Sequence, residues 1–429
     1  MTTENPPRPR AGTPAKAAKA RTLAGPGMLF TPGLGLFNFG SYMAILTPVM
    51  LTLPLKVQAL VGSQHEAGAF GLVTAIGAIF AIICNPLGGR LSDRTTARFG
   101  MRRPWIIGGA VGGVLSLFLI AVATSLWMVI LGWCLTEIFI NSAQSAANAT
   151  VADQIPPERR GLVSGAVGIG LPLALLVGSV VVNAFGGYTA RFVVPGVLMV
   201  IFAAFFVLTL KDRRLDRRPP RFGWKQFAMS FVFNPRRYPD FGWLWIGRFS
   251  IMFGYSGVQT YLVYLLGNRL GLKGGELTST IVLANLGSAI AMVASSFLLG
   301  ALSDRVGRRK PFVAFGSVII ALGLAIIAFA PDPTMIIVAD TILGFGGGGF
   351  FAVDLALATE VLPNSEDTGK DLGVLVITNG LPQSIAPAIA PGIIALGGAA
   401  ISGYSLLYLV GAVVAVLGAV FIYRIKGVR

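Results

Sequence analysis

Gly89-Arg90-Leu91-Ser92-Asp93-Arg94 is followed by Arg102-Arg103-Pro104-Trp105, and Gly300-Ala301-Leu302-Ser303-Asp304-Arg305 by Arg309-Lys310-Pro311-Phe312. These two stretches are copies of one short basic loop between apolar runs. Beyond each copy, the next pair of apolar runs closes on matching residues: Ala152-Asp153-Gln154-Ile155-Pro156 in one case and Thr359-Glu360-Val361-Leu362-Pro363 in the other. Pro104 to Pro156 is 52 residues, and so is Pro311 to Pro363. Equal spacing around a repeated loop indicates an internal duplication. The one offset is four extra residues in the first loop, within Thr95 to Met101.

The runs around the loops are long and apolar. The chain has 429 residues, of which 54% are hydrophobic and 12% charged. A soluble domain carries about a quarter charged residues, and about 20 apolar residues cross the hydrocarbon of a bilayer. Twelve such spans are predicted, near 33–58, 67–91, 104–124, 126–152, 162–184 and 190–210, then near 241–266, 276–301, 312–330, 334–360, 372–396 and 402–424. The expected fold is all-α and integral to the membrane, with two pseudo-symmetric six-helix bundles. Residues 1–24 read as a disordered cytoplasmic tail rich in Pro, Ala and Lys. Residues 25–210 form the first bundle, 211–240 a basic cytoplasmic linker and 241–429 the second bundle.

The net charge of +16 invites a nucleic-acid reading, which its distribution rejects. Of the 34 Lys and Arg residues, 29 fall in the tails and in alternate loops. That is the positive-inside pattern, and it places both termini in the cytoplasm. The charge therefore serves topology and contact with anionic lipid in a plasma (inner) membrane, including at the linker from Lys211 to Arg237. Cys84 and Cys134 both lie in apolar runs and offer neither a disulfide framework nor metal-ligand spacing. No Gly-rich phosphate loop followed by Lys is present, so no ATP-driven engine, enzyme site or cofactor is expected.

The polar residues inside the spans carry the chemistry. Glu137 sits well inside the fourth span, and Asn141, Gln144 and Asn148 follow at intervals of four, three and four. That spacing puts all four on one helix face. A carboxylate at that depth should face a cavity, find a partner or take a proton. The amides supply donors and acceptors suited to a polyhydroxyl ligand, although amides also join helices by hydrogen bonding alone. Arg248 in the seventh span and Asp354 in the tenth complete the expected substrate and proton site, with Arg248 either pairing Glu137 or Asp354 or holding a sugar hydroxyl or a carboxylate. Asp340 is read as interfacial, and His65 as a residue of a short outer loop. The run Gly344, Gly346, Gly347, Gly348, Gly349 implies close helix packing or a bending point in the tenth span.

In the loops, Asp93, Arg94, Arg102, Arg103 and Asp153 form an expected charged latch between helix ends, and Asp304, Arg305, Arg308 and Glu360 its second copy. Such a latch favours one conformation and breaks in the other. Topology and a tight turn alone would need fewer matched residues.

The doubled Gly-x-x-Ser-Asp-Arg loop and the twelve-span plan resemble the major facilitator superfamily. Within it, Asn85-Pro86-Leu87-Gly88-Gly89 and Arg98-Phe99-Gly100-Met101-Arg102-Arg103-Pro104-Trp105-Ile106 resemble the proton-coupled sucrose transporters and the glycoside–pentoside–hexuronide symporters. Leu46-Thr47-Pro48 and Gly373-Val374-Leu375 with Pro382-Gln383 are similar to two further elements of that group. The resemblance implies a sugar or glycoside carried with protons by alternating access, with Glu137 as proton carrier and Asn141, Gln144 and Asp153 matching the group's pattern. Asn148 departs from it, because the group has Arg there. The alternatives are a proton-driven efflux antiporter for small amphipathic compounds and a transporter-like membrane sensor.

Overall fold

The computed structural model describes residues 27–155, 163, 167, 170–215, 235–257, 259–361, 368–398 and 401–426. The tail at 1–24, most of the basic linker and the start of the fifth predicted span lie outside them. Twelve helical stretches follow in order: α1 Phe30–Val61, α2 Glu66–Ser92, α3 Arg103–Ala121, α4 Leu126–Gln154, α5 Gly170–Ala184 and α6 Tyr188–Thr209. The second set begins with α7, Pro239–Met252 and its continuation. It goes on with α8 Gly274–Val306, α9 Lys310–Phe329, α10 Pro333–Glu360, α11 Thr368–Ala395 and α12 Gly403–Tyr423. Among the described residues, nine of these are long and apolar enough to cross a membrane. The other three are α5, α7 and α11.

Helix is the structure such a chain must take, because hydrocarbon offers no water to satisfy backbone groups. The helix starts follow local chemistry. Pro104 and Pro311 occupy the first turns of α3 and α9, where a missing N–H costs nothing. Ser125 and Asp332 cap α4 and α10 by accepting from the backbone N–H of Met128 and Met335. Each such cap contributes about 1 kcal/mol. These are equivalent helices of the two halves, so even the caps repeat.

The packing repeats as well. In the first half α3 packs on α4, α2 on α4, α1 on α6, α3 on α6 and α1 on α5. The second half has the same five pairings, α9 with α10, α8 with α10, α7 with α12, α9 with α12 and α7 with α11. The halves meet through α2 against α11 and α5 against α8, which the same two-fold relation exchanges. Large apolar side chains such as Trp127, Leu208 and Phe297 stand exposed on the outside, as expected of a surface that lipid covers.

Two helices depart from the continuous spans the sequence predicts. In α1, Pro48 lacks the N–H that an α-turn needs, and Pro48–Thr52 widens into a π-turn. In α7, regular helix ends at Met252, and a π-turn at Phe253–Gly257, a short helix at Leu262–Tyr264 and a second π-turn at Leu265–Arg269 follow it where the expected span runs on to 266. The glycine run resolves in favour of packing. Helix α10 continues through it, and a Cβ at Gly344, Gly346 or Gly348 would run into backbone carbonyl oxygens of Ser288, Gly316 or Met292 on α8 and α9.

The interrupted part of α7 joins the halves at the end remote from the basic loops. The Tyr261 hydroxyl lies 3.0 Å from the Pro387 carbonyl oxygen and 3.2 Å from that of Ala67 on α2. The Tyr264 hydroxyl donates to the Pro54 carbonyl of α1 at 3.1 Å. Asn268 donates to Glu66 of α2 and reaches Tyr404 of α12 at 2.8 Å. Phe70 packs edge-on against both Tyr261 and Tyr264.

Candidate functional site

Helix α4 carries the predicted stripe on one face, since Glu137, Asn141, Gln144 and Asn148 fall within about 60° of each other at ~100° per residue. Glu137 is buried, 7% exposed. The Asn141 amide donates to its Oε2 at 2.7 Å and to its backbone carbonyl at 2.9 Å. Cys134, one turn earlier, and Cys84 on α2 lie within range of its charge. Among the described residues no Lys or Arg forms an ion pair with Glu137.

The amides below it are joined by a residue the sequence reading passed over. Asn38 on α1 is fully buried. It accepts from Gln144 Nε2 at 3.3 Å and donates to Asn148 Oδ1 at 3.0 Å and to the Leu34 carbonyl at 3.0 Å. The result is a ladder of three amides across α1 and α4, beginning about two turns below Glu137. Its only sequence signal was a lone Asn in an apolar run. Asn148 remains exposed, so the ladder has one open end.

The second half holds a different cluster. Arg248 pairs with Asp354 at 2.8 Å rather than with Glu137. Its other terminal nitrogen donates to Asn379 of α11 at 3.2 Å, a further residue the sequence did not single out. Both charged residues are buried. Arg248 Nε and Asp354 Oδ1 have no protein partner among the described residues. Buried polar atoms are normally satisfied, which sets these two apart from the rest of the cluster. Among the described residues no hydrogen bond or ion pair links this cluster to the Glu137 face. Asp340, read as interfacial, is fully buried among the helices.

At the basic loops the structure makes Arg102 the hub. It is 3% exposed. It pairs with Asp93 and, at 3.1 Å, with Asp153 at the end of α4, and donates to the Gly89 carbonyl at 3.1 Å and the Ser92 hydroxyl at 2.5 Å. Asp212, beyond α6, accepts from the backbone N–H of Arg102 at 2.8 Å and of Arg103 at 2.9 Å, and so caps α3. Gly100 makes room for Asp212: its φ is +115°, and a Cβ there would meet that carboxylate. Arg103 itself donates to the Leu210 carbonyl. Apart from Asp212, at the start of the linker, these partners lie in the first half.

The second copy follows the same plan with smaller means. Arg309, which the sequence reading left out of its latch, takes the place of Arg102 and donates to Ser303 at 3.2 Å. Lys310 donates to the Ile425 carbonyl at 2.6 Å, as Arg103 does to that of Leu210. Arg305 and Arg308 are exposed, and the side chains of Asp304 and Glu360 lie outside the described residues. Arg94 lies half-buried beside its loop.

Comparison with known proteins agrees with this architecture. The Major Facilitator Superfamily model matches residues 29–294 and 279–428. A cis,cis-muconate transport protein of Acinetobacter baylyi is 28% identical over 374 residues, 84% of this chain and 86% of that protein. A class C tetracycline resistance protein of Escherichia coli is 25% identical, covering 85% of this chain and 89% of its own. The crystal structure of a D-xylose–proton symporter superposes with a TM-score of 0.69 at 18% identity, over 94% of this chain and 98% of that one.

Proposed function

This chain belongs to the Major Facilitator Superfamily, and from that premise we propose that it moves a sugar or glycoside across the inner membrane together with protons. The carrying observation is Glu137, a buried carboxyl on the same helix face as the Asn38–Gln144–Asn148 ladder, with an amide and no cation beside it among the described residues. A carboxyl so placed is stable inside the bundle when it holds a proton, and the ladder offers both donors and acceptors to hydroxyl groups. Protonation permits loading, and loss of the proton to the cytoplasm accompanies release.

The Lys and Arg distribution puts the basic loops and both termini in the cytoplasm. In that orientation the contacts of Tyr261, Tyr264 and Asn268 close the outer side. Residues 25–210 and 241–429 then rock as two units about a site near the midplane. The Arg102 hub holds the inner ends of α2, α3 and α4 together as one of those units moves.

One observation favours a second reading. Arg248 has an unpartnered Nε, and the muconate transport protein of Acinetobacter baylyi is named for a dicarboxylate. An organic acid would engage Arg248 in place of a hydroxyl. The likeness to a tetracycline resistance protein favours the alternative, an efflux antiporter for small amphipathic compounds. A thermal-shift screen of sugars, glycosides and dicarboxylates on the purified protein, at two pH values, separates these readings. Ligand stabilises by RT ln(1 + [L]/Kd). Stabilisation by sugars that strengthens at the lower pH supports the first reading. Stabilisation by dicarboxylates alone replaces it with the second.

A further inference from the structure

Asp340 is the seventh residue after Pro333 in α10, and its side chain is fully buried. Gln259, in the interrupted stretch of α7, donates its amide Nε2–H to Asp340 Oδ1. The Ser288 hydroxyl of α8 is within hydrogen-bond reach. The titratable groups that face it are the phenols of Tyr255 on α7 and Tyr408 on α12. Among the described residues no Lys, Arg or His forms an ion pair with it.

Three polar atoms of this cluster are buried and lack a partner among the described residues: Asp340 Oδ2, Gln259 Oε1 and the Tyr408 hydroxyl oxygen. With Asp340 ionised, an uncompensated charge sits in a buried site, and Oδ2 and Oε1 are both acceptors without a donor. That arrangement is doubly unfavourable. A single proton on Oδ2 removes the charge and turns one acceptor into a donor, and Gln259, already bonded to Oδ1, carries the unpartnered oxygen Oε1 that can accept it. The Gln259 amide and a neutral carboxyl are complementary, each with one donor and one acceptor.

We propose that Asp340 is a second proton-binding group, in the C-terminal half and independent of Glu137, held neutral in this conformation by Gln259. The partner sits on the irregular part of α7, the stretch that also closes the end of the molecule through Tyr261, Tyr264 and Asn268. When that stretch withdraws, Oδ2–H loses its acceptor and water enters. The carboxyl then gives its proton to water and becomes the carboxylate. The gate and the proton are thereby linked through one side chain.

Infrared spectroscopy of the protein in lipid nanodiscs tests this, because the C=O stretch of a protonated carboxyl stands apart from that of a carboxylate. Glu137→Gln should keep a protonated-carboxyl component at neutral pH that Glu137→Gln/Asp340→Asn loses. Gln259→Leu leaves the acid but removes its amide partner, so the component should shift to the frequency of a free carboxyl; this variant also serves if Asp340→Asn does not fold. A spectrum unchanged by Asp340→Asn, or a component unmoved by Gln259→Leu, overturns the proposal. So does a melting temperature that rises with sodium in the wild type and not in Asp340→Asn, which would make the site one for a metal cation. Loss of the Glu137 signal bears on the coupling reading alone.

Discussion

Replacing Asp354 by Asn leaves Arg248 charged, buried and without its counter-ion. The two groups stand 2.8 Å apart with little exposure on either side. Their attraction is about 6 kcal/mol at an effective dielectric of ~20. Taking both ions out of water costs several kcal/mol each, so the intact pair contributes little net stability. The single variant is different, because the desolvation of Arg248 remains and only the Asn379 bond at 3.2 Å still offsets it. A loss of about 3–5 kcal/mol follows for Asp354→Asn, and a similar one for Arg248→Met. The double variant should recover most of it, since no buried charge is left. A thiol-reactive dye reports unfolding directly, because Cys134 is buried and Cys84 half-buried. A single variant that melts with the wild type, or a double variant that melts below both singles, refutes this reasoning.

Arg102→Ala should lower transport and stability more than Asp93→Asn. Arg102→Ala removes both ion pairs and the charge-assisted hydrogen bonds to Gly89 and Ser92, the latter at ~1.5–3 kcal/mol each, whereas Asp93 is 52% exposed and its pair with Arg102 is partly screened. Flux per inserted molecule and the dye melt check both. Asn38→Ala leaves the Gln144 amide and the Asn148 oxygen unpaired, and should raise KM about tenfold, as ~1.4 kcal/mol of lost binding requires, with kcat less affected. Gly348→Ala drives a methyl into the Met292 carbonyl of α8 and should cost about 1–3 kcal/mol in the dye melt; Gly108→Ala, where nothing lies within 4 Å, should be silent.

The repeat, the helix number and the α4 stripe were legible because each is a pattern within one segment or between two copies of it. Pro104 and Pro311 mark helix starts, and the stripe follows from helical periodicity alone. The partners were not legible, because they depend on which helices touch. Asn38, Asn379 and Asp212 are single polar residues whose sequence context fits helix contacts, loops or caps equally well. The choice of Asp354 over Glu137 for Arg248 is a question of which half each helix belongs to. Arg309 was within reach, since Arg309-Lys310-Pro311 aligns with Arg102-Arg103-Pro104. The burial of Asp340 was not legible, because nearness to a helix end says nothing of the neighbours that cover it; α7 and α12 do so here. The irregular course of α7 has no proline to announce it.

Proton coupling at Glu137 is the centre of the account, and proteoliposomes holding the Glu137→Gln variant test it most directly. With an inward proton gradient, the wild type should accumulate the substrate found by the thermal-shift screen. Glu137→Gln, permanently neutral, should exchange that substrate across the membrane without concentrating it. A Glu137→Gln protein that still drives accumulation against the gradient contradicts the role assigned to Glu137.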